Sequence, residues 1–318
     1  MGGCSVWRIV ATRLAAAIPT LFLVLLLSFL LSELIPGDPA ATIAGENASP
    51  ELIAQVRQSL GLNQAVIPRF VSYVGQIMQG DLGESLTSRR PVSAVIWESI
   101  PPTASVVFVA LSMALVIGLA AGILAALRRD TWIDRCVSGM AALMLAVPPF
   151  VVALVLVVPL AVNRSWLPAT GYAELNAGGW EWFRYLLLPS FALAIGSAAE
   201  LVRQVRGAFV DTLQQDYIVT CVASGLSKWS VVSTHVFKNA ASPIVTVFGL
   251  QMARIIGAAV VVETVFALPG FGALAFSAVI NADIPLIRGV VLVGAVVVIA
   301  TNVLVDISYP MFNPKLRV

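Results

Sequence analysis

The sequence predicts an all-α membrane protein with six transmembrane helices and both termini in the cytoplasm. Its 318 residues are 59% hydrophobic and only 11% charged, whereas a soluble domain is about 25% charged. Six segments have the roughly 20 apolar residues that a transmembrane helix needs. The lysines and arginines are concentrated in the loops on one side of these segments, which indicates that this side is cytoplasmic.

The first apolar segment, near 13–35, is too long for the hydrophobic part of a signal peptide and has no A-x-A cleavage site. It is therefore predicted to be a retained membrane anchor. The other five predicted spans lie near 103–127, 137–162, 187–206, 243–262 and 289–310.

Arginine and lysine in the short loops set the predicted orientation. With the N-terminus inside, the short outer loops carry only Arg164, Arg184 and Arg288. The inner face then carries Arg8, Arg13, Arg128, Arg129, Arg135, Arg203, Arg206, Lys228, Lys238, Lys315 and Arg317.

Three regions follow from this topology. Residues 1–36 form the cytoplasmic start and the first span, 37–102 an extracytoplasmic segment, and 103–318 a five-helix core. In the outer segment, Ser49 followed by Pro50 is typical of a helix N-terminus. A second amphipathic stretch runs from Ile67 to Met78. The outer segment is therefore predicted to contain short amphipathic helices.

The pair Pro148-Pro149 lies near the middle of the third span. Proline removes a backbone donor and kinks a helix. We therefore expect a break in this span, either as part of a cavity lining or as a packed bend.

The composition argues against several classes of function. One histidine and three widely separated cysteines give no metal site, disulfide framework or catalytic triad, and no basic patch indicates nucleic acid. No pair of catalytic groups lies at one membrane depth, which argues against an intramembrane enzyme. A secondary transporter or channel remains the alternative, although the chain shows no internal repeat and few charges within its spans.

The polar segment 207–240, between the fourth and fifth spans, is much longer than most connectors. Gly225 is predicted to end a short helix and Ser227 to cap the next one. Pro243 is predicted to open the fifth transmembrane helix. A short helix with an apolar stripe and a small-residue turn suits insertion into a groove on a partner.

Two charged residues fall within predicted spans, and such residues are often functional. Glu200 lies near the inner end of the fourth span and Arg254 lies within the fifth. Their predicted depths differ by about 7 Å at 1.5 Å per residue. They are expected to form a structural ion pair, to extend to a membrane interface, or to line a translocation path or gate.

The polar segment resembles the "EAA" loop by which permeases of binding-protein-dependent ABC importers contact their ATPase, most closely in the dipeptide/oligopeptide/nickel branch. The resemblance assigns ATPase coupling to matching residues. These are Asp216, Tyr217, Thr220, Ala223, Gly225, Leu226, Ser227, His235, Asn239 and Pro243. The chain departs from the pattern at Val219, Val222 and Ser224, where the branch has basic residues, and at Cys221, which replaces alanine.

The resemblance extends over nearly the whole chain. Five further pieces match the branch in order: IPGDP at 35–39, GDLG at 80–83, ETVF with PGFG between 263 and 272, NVLVD at 302–306, and the tail NPKLR at 313–317. The resemblance implies a fold like that of a type I ABC importer permease in a bacterial inner membrane.

The same resemblance implies the function and the partners. The chain would form half of a peptide translocation pore, together with a second homologous permease subunit in the lipid bilayer. Cytoplasmic ABC ATPase subunits would bind ATP and Mg, and an extracytoplasmic substrate-binding protein would deliver cargo. The chain itself would hold no catalytic site and no cofactor. Nickel complexes or glutathione are alternative cargoes within this branch.

Overall fold

The computed structural model describes residues 3–33, 49–59 and 63–312, and its elements are helices. Eleven of them are named here, in chain order: α1 Gly3–Glu33, α2 Pro50–Ser59, α3 Val66–Met78, α4 Val92–Leu127, α5 Trp132–Ala146, α6 Pro149–Val162, α7 Gly179–Leu213, α8 Asp216–Ala223, α9 Lys228–Val265, α10 Phe271–Ile280 and α11 Ile284–Phe312. The last part of α6 and residues Val231–Val236 of α9 have π-helical turns.

Helices α1, α4, α7, α9 and α11 each contain a stretch that is long and apolar enough to cross a membrane. The consecutive helices α5 and α6 pass the same test together, although they are bent by 100° at the junction between them. If this bent pair counts as one broken span, the described residues contain the six predicted spans.

The bend lies at the predicted position. Val147 and Pro148 both have extended backbones, with ψ of 121° and 144°. A residue before proline is driven out of the helical region by the proline ring, and here two consecutive residues precede a proline. Pro149 then starts α6 at its first position, where proline is tolerated.

The helices are longer than the predicted spans. Helix α4 begins at Val92 and continues through Pro101 and Pro102, whereas the predicted span begins at 103. Hydropathy marks only the part of a helix that can lie in lipid, so the polar turns at either end were missed. Prolines are tolerated within transmembrane helices because neighbouring groups satisfy the freed backbone atoms.

The chain divides into two compact units. The first contains Pro102–Gly272 and both ends of the chain, Met1–Thr12 and Ala300–Val318. In its core, α4 packs closely on α7. A Cβ added to Gly118 would lie 2.5 Å from Cβ of Leu201, and one added to Gly122 would lie 2.6 Å from Cβ of Val205. Glycines therefore permit this close helix contact, as they often do in membranes.

The second unit contains Arg13–Pro101 and Ala273–Ile299. The predicted cap at Ser49 is present, since the Ser49 hydroxyl accepts from the Leu52 N–H at 3.3 Å. The loop before α4 is attached to the start of α11 through the buried carboxylate of Asp283. That group accepts from the Ser85 hydroxyl at 2.6 Å and from the Thr87 N–H at 3.1 Å.

Candidate functional site

The segment between α7 and α9 contains the predicted coupling residues and is helical for most of its length. Helix α7 continues to Leu213, α8 follows from Asp216 to Ala223, and α9 begins at Lys228. Residues 207–213 thus complete a long helix, although the predicted loop included them. We call residues 216–240 the coupling segment.

The turn that ends α8 has the predicted geometry. Gly225 has φ of +81°, which favours glycine because it has no Cβ. Its N–H donates to the Val222 carbonyl at 3.0 Å, and the Leu226 N–H donates to the Cys221 carbonyl at 3.4 Å. These two bonds form a Schellman motif, with glycine at the left-handed position.

The predicted cap of the next helix is also present. The Ser227 hydroxyl accepts from the Ser230 N–H at 3.3 Å. The side-chain amide of Asn239 donates to the Tyr217 hydroxyl at 2.9 Å and to the His235 carbonyl at 2.8 Å. Two of the predicted coupling residues, Tyr217 and Asn239, therefore connect α8 to α9 directly, whereas the bond to His235 lies within α9.

One face of the coupling segment is packed into the first unit. Ile218, Val231, Val236 and Ala240 are buried in one hydrophobic cluster with residues of α7 and α4. Phe209 of α7 belongs to this cluster and also packs edge-on against Phe237, with ring centroids 6.3 Å apart. The coupling segment is therefore held firmly by the helices that cross the membrane.

Other apolar side chains of the coupling segment are exposed. Trp229 is 79% exposed, Val219 65% and Val222 55%, and Leu226 is exposed beside them. Two of these residues, Val219 and Val222, replace basic residues of the resembled pattern. Large exposed apolar side chains concentrated in one polar segment favour an interaction site, so this part of the coupling segment has the character of a docking surface.

None of the ten predicted coupling residues is buried. His235 and Pro243 are half-buried and the other eight are exposed. All except Pro243 lie in the coupling segment.

The prediction that Pro243 opens the fifth transmembrane helix is wrong. Pro243 lies inside α9, well after the helix begins at Lys228. The Ser227 cap starts a helix that continues through the polar residues into the apolar span. The proline was interpreted as a helix start because it stands at the change from polar to apolar sequence.

The predicted ion pair between Glu200 and Arg254 is not formed. Both oxygens of Glu200 accept from Arg203, at 2.8 Å and 3.0 Å. Arg254 is exposed and forms no hydrogen bond or ion pair with any residue in 3–33, 49–59 or 63–312. Neither residue's role in translocation is tested by this arrangement.

The register of α7 against α9 explains the missing pair. The Ser197 hydroxyl donates to the Gln251 side-chain oxygen at 3.1 Å, and both residues are buried. Because Phe209 faces Phe237 further along, the two helices run antiparallel. This register separates Glu200 from Arg254 by about 9 Å along the helix axes, at 1.5 Å per residue. The sequence alone gave no register.

Sequence reasoning missed an ion pair between α5 and α7. The oxygens of Asp134 accept from Nε and Nη2 of Arg206 at 2.5 Å and 2.7 Å. Asp134 is buried and also accepts from the Asp130 N–H at 3.0 Å. The two partners are 72 residues apart in the chain, so no local pattern pointed to the contact.

A second missed cluster is centred on Glu263, which is fully buried. Its carboxylate accepts from the Thr103 hydroxyl at 2.5 Å and from the Gly272 N–H at 2.8 Å. The Thr103 hydroxyl in turn accepts from the Phe271 N–H at 2.7 Å. A Cβ at Gly270 would collide with the carboxylate. The pieces ETVF and PGFG thus fold around one buried carboxylate.

Metal binding has no candidate in the described part of the chain. No group of three or more His, Cys, Asp or Glu side chains within it could hold an ion.

Two family descriptions match the chain. Residues 118–318 match the family described as "Binding-protein-dependent transport system inner membrane component". Residues 6–107 match the description of the N-terminal part of the same membrane component. Together they cover both units, and the first alone covers more than half of the chain.

Curated relatives match over almost their whole length. A protein of Brucella abortus (strain 2308), whose name describes a peptide transport system permease, is 38% identical over 97% of this chain and 98% of its own. The Glutathione transport system permease protein GsiC of Escherichia coli (strain K12) is 39% identical over 97% of this chain and 98% of its own.

Among solved structures, the fold is similar to that in inward-facing conformations of the MetNI methionine ABC transporter. The TM-score is 0.58 at 16% identity, over 70% of this chain and 97% of that chain.

Proposed function

This chain belongs to the family of binding-protein-dependent transport system inner membrane components, and from that premise we propose that it is the permease subunit of an ATP-driven peptide importer. It is a multi-pass protein of the bacterial inner membrane, as the family description and the apolar helices require. The alternative of an unrelated secondary transporter or channel is disfavoured by this membership.

Peptides are the cargo that the relatives' names favour. The Brucella relative is named for peptides, and the Escherichia coli relative is named for glutathione, which is itself a short peptide. Glutathione or a nickel complex is the alternative cargo. In systems of this kind a separate binding protein carries much of the selection, so the extracytoplasmic partner is the place to measure it.

The observation that carries the coupling proposal is that the coupling segment combines buried and exposed apolar side chains. Its buried side chains pack in one cluster with Phe209 and Val205 of α7. Its exposed apolar side chains, Val219, Val222 and Trp229, face the cytoplasm under the proposed orientation. We propose that a cytoplasmic ABC ATPase receives these exposed side chains in a groove. The groove would be largely apolar, because the basic residues of the resembled pattern are absent here.

The complex proposed here has four kinds of component. A second homologous permease subunit completes the pore, ATPase subunits bind ATP and Mg, and an extracytoplasmic binding protein delivers peptide. This chain supplies no catalytic group. The exposed apolar helices contact lipid or the second permease.

The mechanism follows from the packing. Closure of the ATPases around ATP moves the coupling segment, and its buried side transmits the motion to α7 and α9. The Asp134–Arg206 ion pair connects α5 to α7, so the bent span moves with them. The pore then opens outward toward the binding protein, and hydrolysis resets it.

Arg254 is proposed to face the translocation path or the second permease. An intramembrane arginine that has no partner among the residues the structure describes is costly unless it faces water or another subunit. Glu200 lies about two turns nearer the cytoplasm and is held by Arg203, which favours a place near the cytoplasmic gate.

The test is to purify the tagged chain with its associated proteins and to reconstitute them in liposomes. We expect a co-purifying ATPase and peptide uptake that requires ATP and the binding protein. Uptake by the chain alone, driven by an ion gradient, would support the secondary-transporter alternative instead.

A further inference from the structure

A charged cluster lies at the C-terminal end of α1, within the second unit. Glu33 accepts from Arg69 in a bidentate pair, at 2.8 Å and 2.7 Å. Arg288 of α11 donates to the same carboxylate at 3.2 Å. Two guanidinium groups thus share one carboxylate, and among the described residues that form this cluster one positive charge is in excess.

Aromatic rings hold Arg288 in place. Its guanidinium carbon lies 4.6 Å from the ring centre of Phe29 and 5.1 Å from that of Tyr73. Burial raises the pKa of the Tyr73 hydroxyl, so the phenol stays neutral and does not offset the positive charge. The side chains of Arg69 and Arg288 each remain 16% exposed, which leaves them accessible to an anion.

An apolar groove with a cavity of about 330 Å³ begins beside this cluster. Its lining comes from α1, α10 and α11 and is aliphatic apart from two serines. The lining residues are Val24, Leu27, Ser28, Leu31, Ser32, Val279, Ile287 and Val291.

The groove and the charged cluster are continuous. The hydroxyl of Ser32 lines the groove and also accepts from Nε of Arg288 at 2.8 Å. From Ser32 to Val24 the groove follows α1 for about 12 Å. That is comparable to half of the hydrocarbon core of a bilayer, about 15 Å. The charged end coincides with the end of a membrane span, at headgroup depth.

We propose that this groove binds one acyl chain of an anionic phospholipid whose phosphate contacts Arg288 and Arg69. Guanidinium groups pair well with phosphate oxygens, and such oxygens lie at headgroup depth in both leaflets of a phospholipid bilayer. A helix of the second permease is a poorer fit. A stable protein interface buries about 800 Å² on each partner, whereas this groove has a cavity of about 330 Å³ lined by eight residues.

The experiment compares lipids of matched acyl chains on the detergent-purified complex. Native mass spectrometry would count retained lipid after addition of phosphatidylglycerol or phosphatidylcholine, with inorganic phosphate as a third arm. We expect phosphatidylglycerol to be retained about tenfold more tightly than phosphatidylcholine, a difference of about 1.4 kcal/mol. Inorganic phosphate alone should show no binding above the non-specific background of the lipid measurements.

Two variants locate the site. Leu31→Trp should fill the groove and abolish the retained lipid, whereas Leu30→Trp changes an exposed α1 residue outside the groove and should not. Arg288→Gln should remove the preference for the anionic lipid. If Arg288→Gln does not fold, the two tryptophan variants still decide the question.

The proposal is overturned by any of three results: equal retention of both lipids by the wild-type complex, equal retention by Leu31→Trp and Leu30→Trp, or binding of inorganic phosphate as tight as that of phosphatidylglycerol. A disulfide between a cysteine placed at Leu31 and the second permease would also overturn it, because the groove would then be a subunit interface.

Discussion

Substitution of Gly225 tests the coupling turn through backbone strain alone. Gly225 has φ of +81°, and a Cβ there would meet nothing within 4 Å. Alanine or valine would therefore fit sterically but would occupy the left-handed region. That costs about 1–2 kcal/mol for an L-residue, with valine at the upper end. A cost of 2 kcal/mol lowers the population of the turn about 30-fold relative to its open form.

The assay is peptide uptake and ATPase co-purification of the complex at equal membrane expression. We expect Gly225→Val to insert normally, because the turn lies outside the spans, and to reduce uptake or ATPase association strongly. Gly225→Asn should retain most of both, because asparagine tolerates the left-handed conformation at this position.

Gly178 provides a matched control. It has φ of +119°, and an added Cβ there would also meet nothing within 4 Å. It lies in the predicted outer loop and has ψ of 134°, a conformation that strains a residue with a Cβ at least as much, so Gly178→Val imposes at least equal local strain away from any ATPase. Wild-type uptake by Gly225→Val, or equal losses in Gly225→Val and Gly178→Val, would refute the coupling role of the turn.

Three further predictions follow from the charged groups and the topology. Asp134→Asn should leave Arg206 partly buried without its partner and lower the free energy of unfolding by about 2 kcal/mol. This loss is smaller than for a fully buried pair because Arg206 is 32% exposed. An unchanged free energy of unfolding would show that the ion pair does not stabilise the fold. Arg254→Ala should impair transport, and its loss of transport should add to that of Glu200→Ala in the double variant, because the two side chains do not pair. A double variant whose loss differs from the sum of the two single losses would contradict this. A cysteine at Lys228 should react with impermeant reagents only from the cytoplasmic side, and labelling from outside would reverse the orientation.

Local signals predicted much of the structure. The apolar spans, the break at Pro148, the cap at Ser227 and the left-handed Gly225 each depend on residues that are neighbours in the chain. In these cases, proline geometry and hydrogen bonding by adjacent side chains decide the conformation. The structure agrees with the prediction for each of these four features.

The ion-pair prediction that failed and the contacts that the sequence did not reveal depend on helix register and on partners distant in the chain. Pairing of Glu200 with Arg254 required a register of α7 on α9 that the buried Ser197–Gln251 hydrogen bond does not allow. The carboxylate of Glu263 is bound by a hydroxyl 160 residues away in the chain. One sequence contains no information that separates these pairs from many others.

The most direct test of the coupling proposal is photocrosslinking from the exposed face of α8. A photoreactive amino acid at Val222, which is 55% exposed, should crosslink the assembled importer to its cytoplasmic ATPase. The same group at Gly178 should not. An ATPase crosslink from Val222 alone is the predicted result. A functional importer that gives no ATPase crosslink from Val222, or gives it equally from Gly178, would contradict the account.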